Sequence, residues 1–234
     1  MAGPVHVQSR PQDHGMARPR AANHDEKRQA ILERSAELFA AHGYDRASIN
    51  MLARACDMSK ALFYHYYFEK LEVLFDIIRT HIEHILAVTS GLEEPRHTDP
   101  RVYLLKLSEA LLDAYRSADT KHHVQINQLH LLPRRQQKII KDMERKLVDR
   151  FAVAIAPCLP IEARDHSLLK PITMSLFGML NWNYLWFREH GPLSRRDYAK
   201  LTASLLIEGA QALTAKPAKP GQQIRLHTKT FDRS

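Results

Sequence analysis

The residue types most able to do chemistry crowd into one stretch, Met58 to Phe75, "MSKALFYHYYFEKLEVLF". The six positions from Phe63 to Phe68 hold five aromatic residues and one histidine. An amphipathic helix spaces its apolar residues three and four apart, and a strand alternates them; neither needs such a run. Hydroxyl, imidazole and ammonium donors stand among the rings: Ser59, Lys60, Tyr64, His65 and Lys70. The chain shows no glycine-rich phosphate loop, no nucleophile elbow and no carboxylates paired at a meaningful spacing, so covalent or acid–base catalysis is not its signature. Donors without a nucleophile suit recognition of an acidic partner, and a formal charge of +8 agrees. The distribution of charge is less direct. Residues 121–150 hold eight Lys/Arg against three Asp/Glu and residues 215–234 hold five against one, while residues 1–70 hold ten against eight. A basic cluster by itself reads as a solvated face.

The elements that must position these donors are helices. "NHDEKRQAILERSAELFAAHGY" carries Ile31, Leu32, Ser35, Leu38, Phe39 and His42 at helical spacing. Asn23 or Asp25 is its expected cap, and Gly43 ends it where left-handed backbone is needed. Ser48 is placed to cap a short helix reaching about Ala55, with Ile49, Leu52 and Ala53 on one face. Asp57 sits where the chain must turn sharply, and Asp tolerates left-handed backbone. Ser59 then caps a second short helix through Phe63 or Tyr64. Two short helices on a longer one make a helix-turn-helix, here about residues 47–66. From Glu69 a long apolar helix runs to near Gly91, and further helices are expected at 99–117, 121–132, 134–156, 162–190 and 194–214. No strand or repeat is evident, so the expectation is an all-α chain. Residues 1–22 read as a flexible N-terminal arm whose Arg10, Arg18 and Arg20 could reach a groove, and 215–234 as a disordered basic tail.

Residues 30–75, from "AILERSAELFAAHGY" to "YHYYFEKLEVLF", resemble the DNA-binding domain of the TetR family of transcriptional repressors. The family pattern places Phe before Gly-Tyr/Phe, then Ser/Thr, an Ile-Ala-like pair, a turn glycine, and Val-Ser-x-x-x-Leu/Phe-Tyr-x-His/Tyr-Phe ahead of Lys. Phe39, Gly43-Tyr44, Ser48, Leu52-Ala53, Asp57, Met58-Ser59, Phe63-Tyr64, Tyr66-Tyr67 and Lys70 occupy those places. Asp57 replaces the turn glycine, and Phe68-Glu69 replaces the usual residues that start the next helix. The resemblance implies a three-helix DNA-binding domain at 23–70 and a helical ligand-binding and dimerisation domain at 71–214. It also implies roles. Phe63 and Tyr67 point inward. Ser48, Ser59, Tyr64, His65 and Lys70, with Tyr66 as a further candidate, offer donors to phosphates, which set register. Lys60, Ala61 and Leu62 meet base edges, where Lys donates to guanine and apolar groups touch thymine methyls.

For the second domain the resemblance implies a homodimer reading a palindromic operator in double-stranded DNA. Phe177, Tyr184, Tyr198, Leu201, Leu205 and Gly209 are the expected dimer interface. Asn181, Trp182, Asn183 and Trp186 set amides and indoles beside an apolar wall, which suits a ligand pocket; ordinary packing explains them equally. A second resemblance, to members sensing acyl-CoA thioesters from fatty-acid or aromatic-acid breakdown, rests on "HLLPRRQQKIIKDMERKLVDRF" and "FGMLNWNYLWFREHGPLSRRDYA". Arg134, Arg135, Lys138, Lys141 and Arg145 could hold coenzyme A phosphates or simply face solvent. Other signals remain open: a hydrophobic drug-like molecule, a metal through His81 and His84, or redox change through Cys56. No cofactor is expected. No apolar run reaches the roughly 18 residues of a membrane span, and the start of the chain lacks the apolar core of a secretory signal. A cytoplasmic, non-membrane protein with two unbridged cysteines is the default.

Overall fold

A computed structural model of the chain describes residues 17–92, 99–116, 118–164 and 166–212. All regular structure among the described residues is helical. The helices are α1 (Ala17–His42), α2 (Ile49–Ala55), α3 (Lys60–Tyr66), α4 (Lys70–Ser90), α5 (Pro100–Arg116), α6 (Asp119–Gln128), α7 (Arg134–Ile155), α8 (His166–Asn181) and α9 (Arg195–Ala212). They fall into two compact units, one of Met1–Glu83 with Ala118–Ile140 and one of His84–Ser117 with Lys141–Ser234. This division departs from a boundary at 70/71. It cuts within α4 and within α7, and it joins α6 to the N-terminal helices.

The first unit shows why. Val124 of α6 is fully buried, the Gln128 amide donates to the Phe39 carbonyl at 2.9 Å, and Lys121 reaches Glu33. These contacts seat α6 on α1. The shared core is Ile31, Leu32 and Phe39 of α1, Leu52 of α2, Phe63 of α3, and Val73, Leu74, Ile77 and Ile78 of α4, each at most 2 % exposed.

Short backbone devices set the order of these helices. Gly43 takes φ +78°, and its N–H closes α1 on the Phe39 carbonyl at 2.9 Å. After α2, Asp57 takes φ 54°. The Asp57 N–H bonds the Arg54 carbonyl at 3.1 Å and the Met58 N–H bonds Ala53 at 2.9 Å. That pair of bonds is a Schellman closure, with Asp doing the work usually given to glycine. Ser48 and Ser59 cap α2 and α3 by accepting from the N–H groups of Met51 (3.2 Å) and Leu62 (3.1 Å). α3 runs two residues past Tyr64 before Tyr67 turns extended. The unusual Phe68-Glu69 start of α4 is rescued from inside the helix. The Glu72 carboxylate accepts from Phe68 N–H at 2.8 Å and Glu69 N–H at 3.3 Å, the returning half of a capping box.

α1 begins earlier than expected. Asn23 and Asp25 lie within it, and helix replaces the arm from Ala17 onward. Pro19 falls in the first turn, where its missing N–H costs nothing, and Ala21 and Ala22 favour helix. Arg10 lies outside the described residues, as does the tail at 215–234.

The second unit packs Leu104, Leu107 and Leu111 of α5, Phe151 and Ile155 of α7, Leu176 and Leu180 of α8, and Ala199 and Ile207 of α9 into one apolar cluster. The helix expected over 162–190 is shorter. Ile161–Ala163 forms a separate 3-10 turn after Pro160, and α8 gives way at Trp182 to another, Trp182–Leu185. Asn, Trp and Tyr are all mediocre helix formers, and the Asn183 carbonyl closes the new turn by accepting from Trp186 (3.1 Å) and Phe187 (2.8 Å).

Candidate functional site

α3 has only seven residues, so its two faces do different work. Phe63 is fully buried and Tyr67, just past the helix, is 2 % exposed. Lys60, Ala61, Leu62, Tyr64 and His65 are all exposed. Leu62 and Tyr64 are 41 % and 43 % exposed, large apolar area left in water on a helix whose other side is core. The Lys60 ammonium lies 5.8 Å from the Tyr64 ring centre. Ser48 and Ser59 are exposed too, but their hydroxyls are engaged as caps. Tyr66 is half-buried and stacks on His24 of α1 at 4.9 Å.

Lys70 differs from its expected role as a free phosphate donor. Its ammonium donates to the carbonyls of Tyr44 (2.7 Å) and Ala47 (2.9 Å) and lies 4.0 Å from the Tyr44 ring centre. The start of α4 is thereby tied to the turn between α1 and α2. A lysine near a helix start reads as available in sequence; the two carbonyls it bonds belong to a turn 23 and 26 positions away.

A buried polar cluster braces this head. Tyr67 carries a hydroxyl where the family pattern has Phe. That hydroxyl donates to the Asp76 carboxylate at 3.1 Å and accepts from Arg28 Nε at 3.0 Å. Arg28 Nη2 also pairs with Asp76, as do Arg79 Nε (3.2 Å) and Nη2 (3.0 Å). Asp76 is 6 % exposed, and several charge-assisted bonds offset its desolvation. Burial pushes the Tyr67 phenol up to about 12; the Arg28 bond pulls it down and the Asp76 charge raises it further. The phenol therefore stays protonated and keeps donating. Asp76 and Arg28 were not legible as functional positions, since both resemble ordinary helix-surface charges.

In the second unit the expected pocket set divides. The Asn181 side chain accepts from the Tyr115 hydroxyl at 2.7 Å. Asn183 is fully buried, and neither atom of its amide has a hydrogen-bond partner among the described residues. Trp182 and Trp186, by contrast, are 53 % and 52 % exposed and do not line an interior wall. Trp182, on the 3-10 turn, and Trp186, just beyond it, fall at the same four-residue spacing as the exposed Met174 and Gly178.

The expected dimer residues divide as well. Leu201, Leu205 and Gly209 form an exposed stripe on α9, and Met174, Gly178 and Trp182 form a matching one at spacing four from α8. Phe177 and Tyr198 are core instead. Phe177 packs on Phe151 with ring centres 4.9 Å apart, and the buried Tyr198 donates to the Met179 carbonyl at 2.7 Å. Tyr184 is half-buried.

The other signals find less footing. His81 is buried against His122, ring centres 5.7 Å apart, while His84 is exposed; the two do not share a surface. No group of three or more metal-type side chains occurs among the described residues. Burial raises the Cys56 thiol above its ordinary value, with the Ser35 hydroxyl and Arg34 opposing, which disfavours the reactive thiolate. Arg134, Arg135, Lys138, Lys141 and Arg145 of α7 are all exposed, and Arg145 is paired with Asp142 at 2.8 Å. No helix among the described residues is long and apolar enough to cross a membrane.

Known proteins share this architecture. The family described as "Bacterial regulatory proteins, tetR family" matches residues 31–77, and "Tetracyclin repressor-like, C-terminal domain" matches residues 97–210. A TetR-family transcriptional regulator from Bordetella parapertussis 12822 is 32% identical, with 76% of this chain and 93% of that one covered and a TM-score of 0.71. The HTH-type transcriptional regulator HbdR of Aromatoleum sp. (strain CIB) is 24% identical over 202 residues, 82% of this chain and 83% of that one. The HTH-type transcriptional repressor Rv1474c of Mycobacterium tuberculosis is 33% identical over 64 residues, 27% of this chain and 34% of that one. AibR, in its complex with isovaleryl coenzyme A and operator DNA, shares the fold at 23% identity and a TM-score of 0.64, covering 77% of this chain and 98% of that one. With a capped α3 in a braced three-helix head and a second helical unit, this chain belongs to the TetR family of transcriptional regulators, DNA-binding proteins of repressor type rather than enzymes.

Proposed function

We propose that the protein is a homodimeric repressor of a palindromic operator, released by a small acyl-bearing effector such as an acyl-CoA thioester. The observation carrying this reading is the exposed face of α3, with Lys60, Ala61, Leu62, Tyr64 and His65 in solvent above a fully buried Phe63. In a major groove Lys60 would donate to a guanine edge and Ala61 and Leu62 would meet thymine methyls, while Tyr64 and His65 would donate to phosphates. The exposed stripes of α8 and α9 suit a self-complementary interface, and a twofold dimer sets two recognition helices on successive half-sites.

The effector class rests on Asn183. A buried amide with neither atom bonded costs about 1–3 kcal/mol, and a ligand carbonyl would satisfy its N–H group. AibR, a relative in fold, holds isovaleryl coenzyme A. An effector that favours the conformer with mismatched recognition helices lowers operator affinity only by its differential binding to the two states.

Gel shifts with an operator selected by the full-length protein test the assignment. Tyr64→Ala should weaken binding to every duplex, whereas Lys60→Ala should change which sequences are preferred. Leu205→Asp should convert a sedimenting dimer to monomer and abolish tight operator binding. Retention of wild-type binding by both α3 variants would refute the interface. Thermal shifts with a panel of acyl-CoAs test the effector: stabilisation by at least one thioester is expected, and none by any would remove that class.

A further inference from the structure

The rings beside α3 continue onto α1. His65 meets Tyr66 edge-on at 5.7 Å, and Tyr66 stacks on His24 at 4.9 Å. His24 and Arg28 lie four apart on α1, so they share one face of that helix. The surface running from His65 through Tyr66 to His24 thus leads to Arg28. Asp25 is the acidic neighbour here, its carboxylate 3.7 Å from His24 Nδ1.

Arg28 is held in an unusual way for a half-exposed arginine. Nε donates to the Tyr67 hydroxyl, Nη2 is paired with the buried Asp76 carboxylate, and the guanidinium carbon lies 5.5 Å from the Tyr67 ring centre. Yet 43 % of its side chain remains exposed, and Nη1 has no hydrogen bond among the described residues. A guanidinium is a rigid fork that keeps its full charge. Two nitrogens are fixed by Tyr67 and Asp76 and the third is uncommitted on a side chain that is 43 % exposed, so little rotamer entropy remains to be lost when an anion binds.

We propose that Arg28 is a pre-oriented contact to a DNA phosphate flanking the groove occupied by α3, with Asp76 and Tyr67 as its positioning residues. The proposal rests on α3 being the recognition helix and adds a contact from a different element, α1. Asp76 has a second cation, Arg79, that keeps its carboxylate paired when Arg28 is removed. Arg28→Gln is therefore a usable probe.

The test is the salt dependence of binding by the full-length chain, read by fluorescence anisotropy on its selected operator duplex over a series of KCl concentrations. A lost phosphate contact lowers the slope of log K against log[salt] by about 0.9 per subunit. Arg28→Gln should bind about tenfold more weakly with that reduced slope, and the loss should be the same on every duplex. Tyr67→Phe, which removes the orienting hydroxyl and keeps the charge, should weaken binding less and leave the slope at the wild-type value. Arg28→Lys should also keep the slope, and it serves as the probe if Arg28→Gln melts below the assay temperature; a lowered slope in Arg28→Lys would overturn the proposal. A wild-type slope in folded Arg28→Gln would reduce Arg28 to an internal brace and sink the proposal while leaving the recognition helix intact. Failure of wild-type protein to bind any duplex would instead sink the parent reading.

Discussion

Two buried polar centres set the two units of this molecule apart. In the first, Asp76 gathers the Tyr67 hydroxyl and the guanidinium groups of Arg28 and Arg79, and a neighbouring ammonium, Lys70, is spent on two carbonyls. In the second, Asn183 is fully buried with its amide unanswered, and apolar stripes on α8 and α9 face water. Around Asp76 the first unit answers its charged groups with its own residues, though the side-chain oxygens of Gln128 and Gln136 in the same unit have no partner among the described residues. The second leaves the Asn183 amide unbonded among the described residues and exposes apolar stripes on α8 and α9.

The comparison breaks most sharply at Asp76. Asp76→Ala strips the shared partner from two arginines and a buried phenol at once. Removing one side of a fully buried ion pair costs about 3–5 kcal/mol. The partial exposure of Arg28 and Arg79 discounts that to about 2–3 kcal/mol, which lowers the melting temperature of a unit this size by roughly 10–20 °C. Calorimetry should show the first unit melting earlier while the second is unmoved. A melting curve like wild type would mean that the cluster is ornamental and that the contrast drawn here is false.

Asn183 should respond in the opposite direction. Asn183→Leu replaces an unsatisfied buried amide by an apolar group of the same branching, and the second unit should gain about 1 kcal/mol in the absence of effector, the larger methyls offsetting part of the gain. The same variant should lose its thermal response to any acyl-CoA that stabilises the wild type. Destabilisation on substitution, measured by urea unfolding of the ligand-free protein, would show that the amide is satisfied in solution and remove the reason for placing a ligand there.

The same contrast governs what could be seen in the sequence. Around α2 and α3 each signal does a separate backbone job at fixed spacing: Gly43 and Asp57 supply left-handed residues, and Ser48 and Ser59 supply caps. Together they fix the rotational phase of a short helix, so Phe63 and Tyr67 are correctly inward and Tyr64 and His65 outward. α8 has only Ser167, Lys170 and Ser175 to mark its outward side. A pattern apolar on most sides leaves Phe177 as good a surface residue as Met174 on paper, and only packing on Phe151 decides. Both tryptophans fall at the surface at the same four-residue spacing as Met174 and Gly178. Asp76 was hidden for another reason. Tyr67 in place of Phe announces a buried hydroxyl that needs a partner, but the partners stand 9 and 39 positions away, beyond any local pattern. The compact units divide elsewhere than at 70/71 because α6 returns to α1 through contacts such as Gln128 with Phe39, 89 positions apart.

A smaller effect, at alkaline pH, separates the units through their tyrosines. Burial raises both the Tyr67 phenol, up to about 12, and the Tyr115 phenol, which climbs further because its site is fully enclosed and Glu144 adds a like charge. An unfolded tyrosine ionises near 10. A group whose folded pKa lies above its unfolded one contributes stability that is complete below about pH 10 and is lost as pH rises through the folded value. Both units should therefore weaken above about pH 10, with opposite dependence on the substituted residue. Tyr115→Phe should flatten the alkaline loss of the second unit alone and Tyr67→Phe that of the first alone, each followed by tyrosinate absorbance during unfolding. The Tyr67 effect should be the lesser, since Arg28 opposes the burial that raises its pKa. If Tyr67→Phe changed the alkaline limb more than Tyr115→Phe, the head would be the less solvated of the two interiors, and the account of it as a braced surface around a charged cluster would have to be reversed.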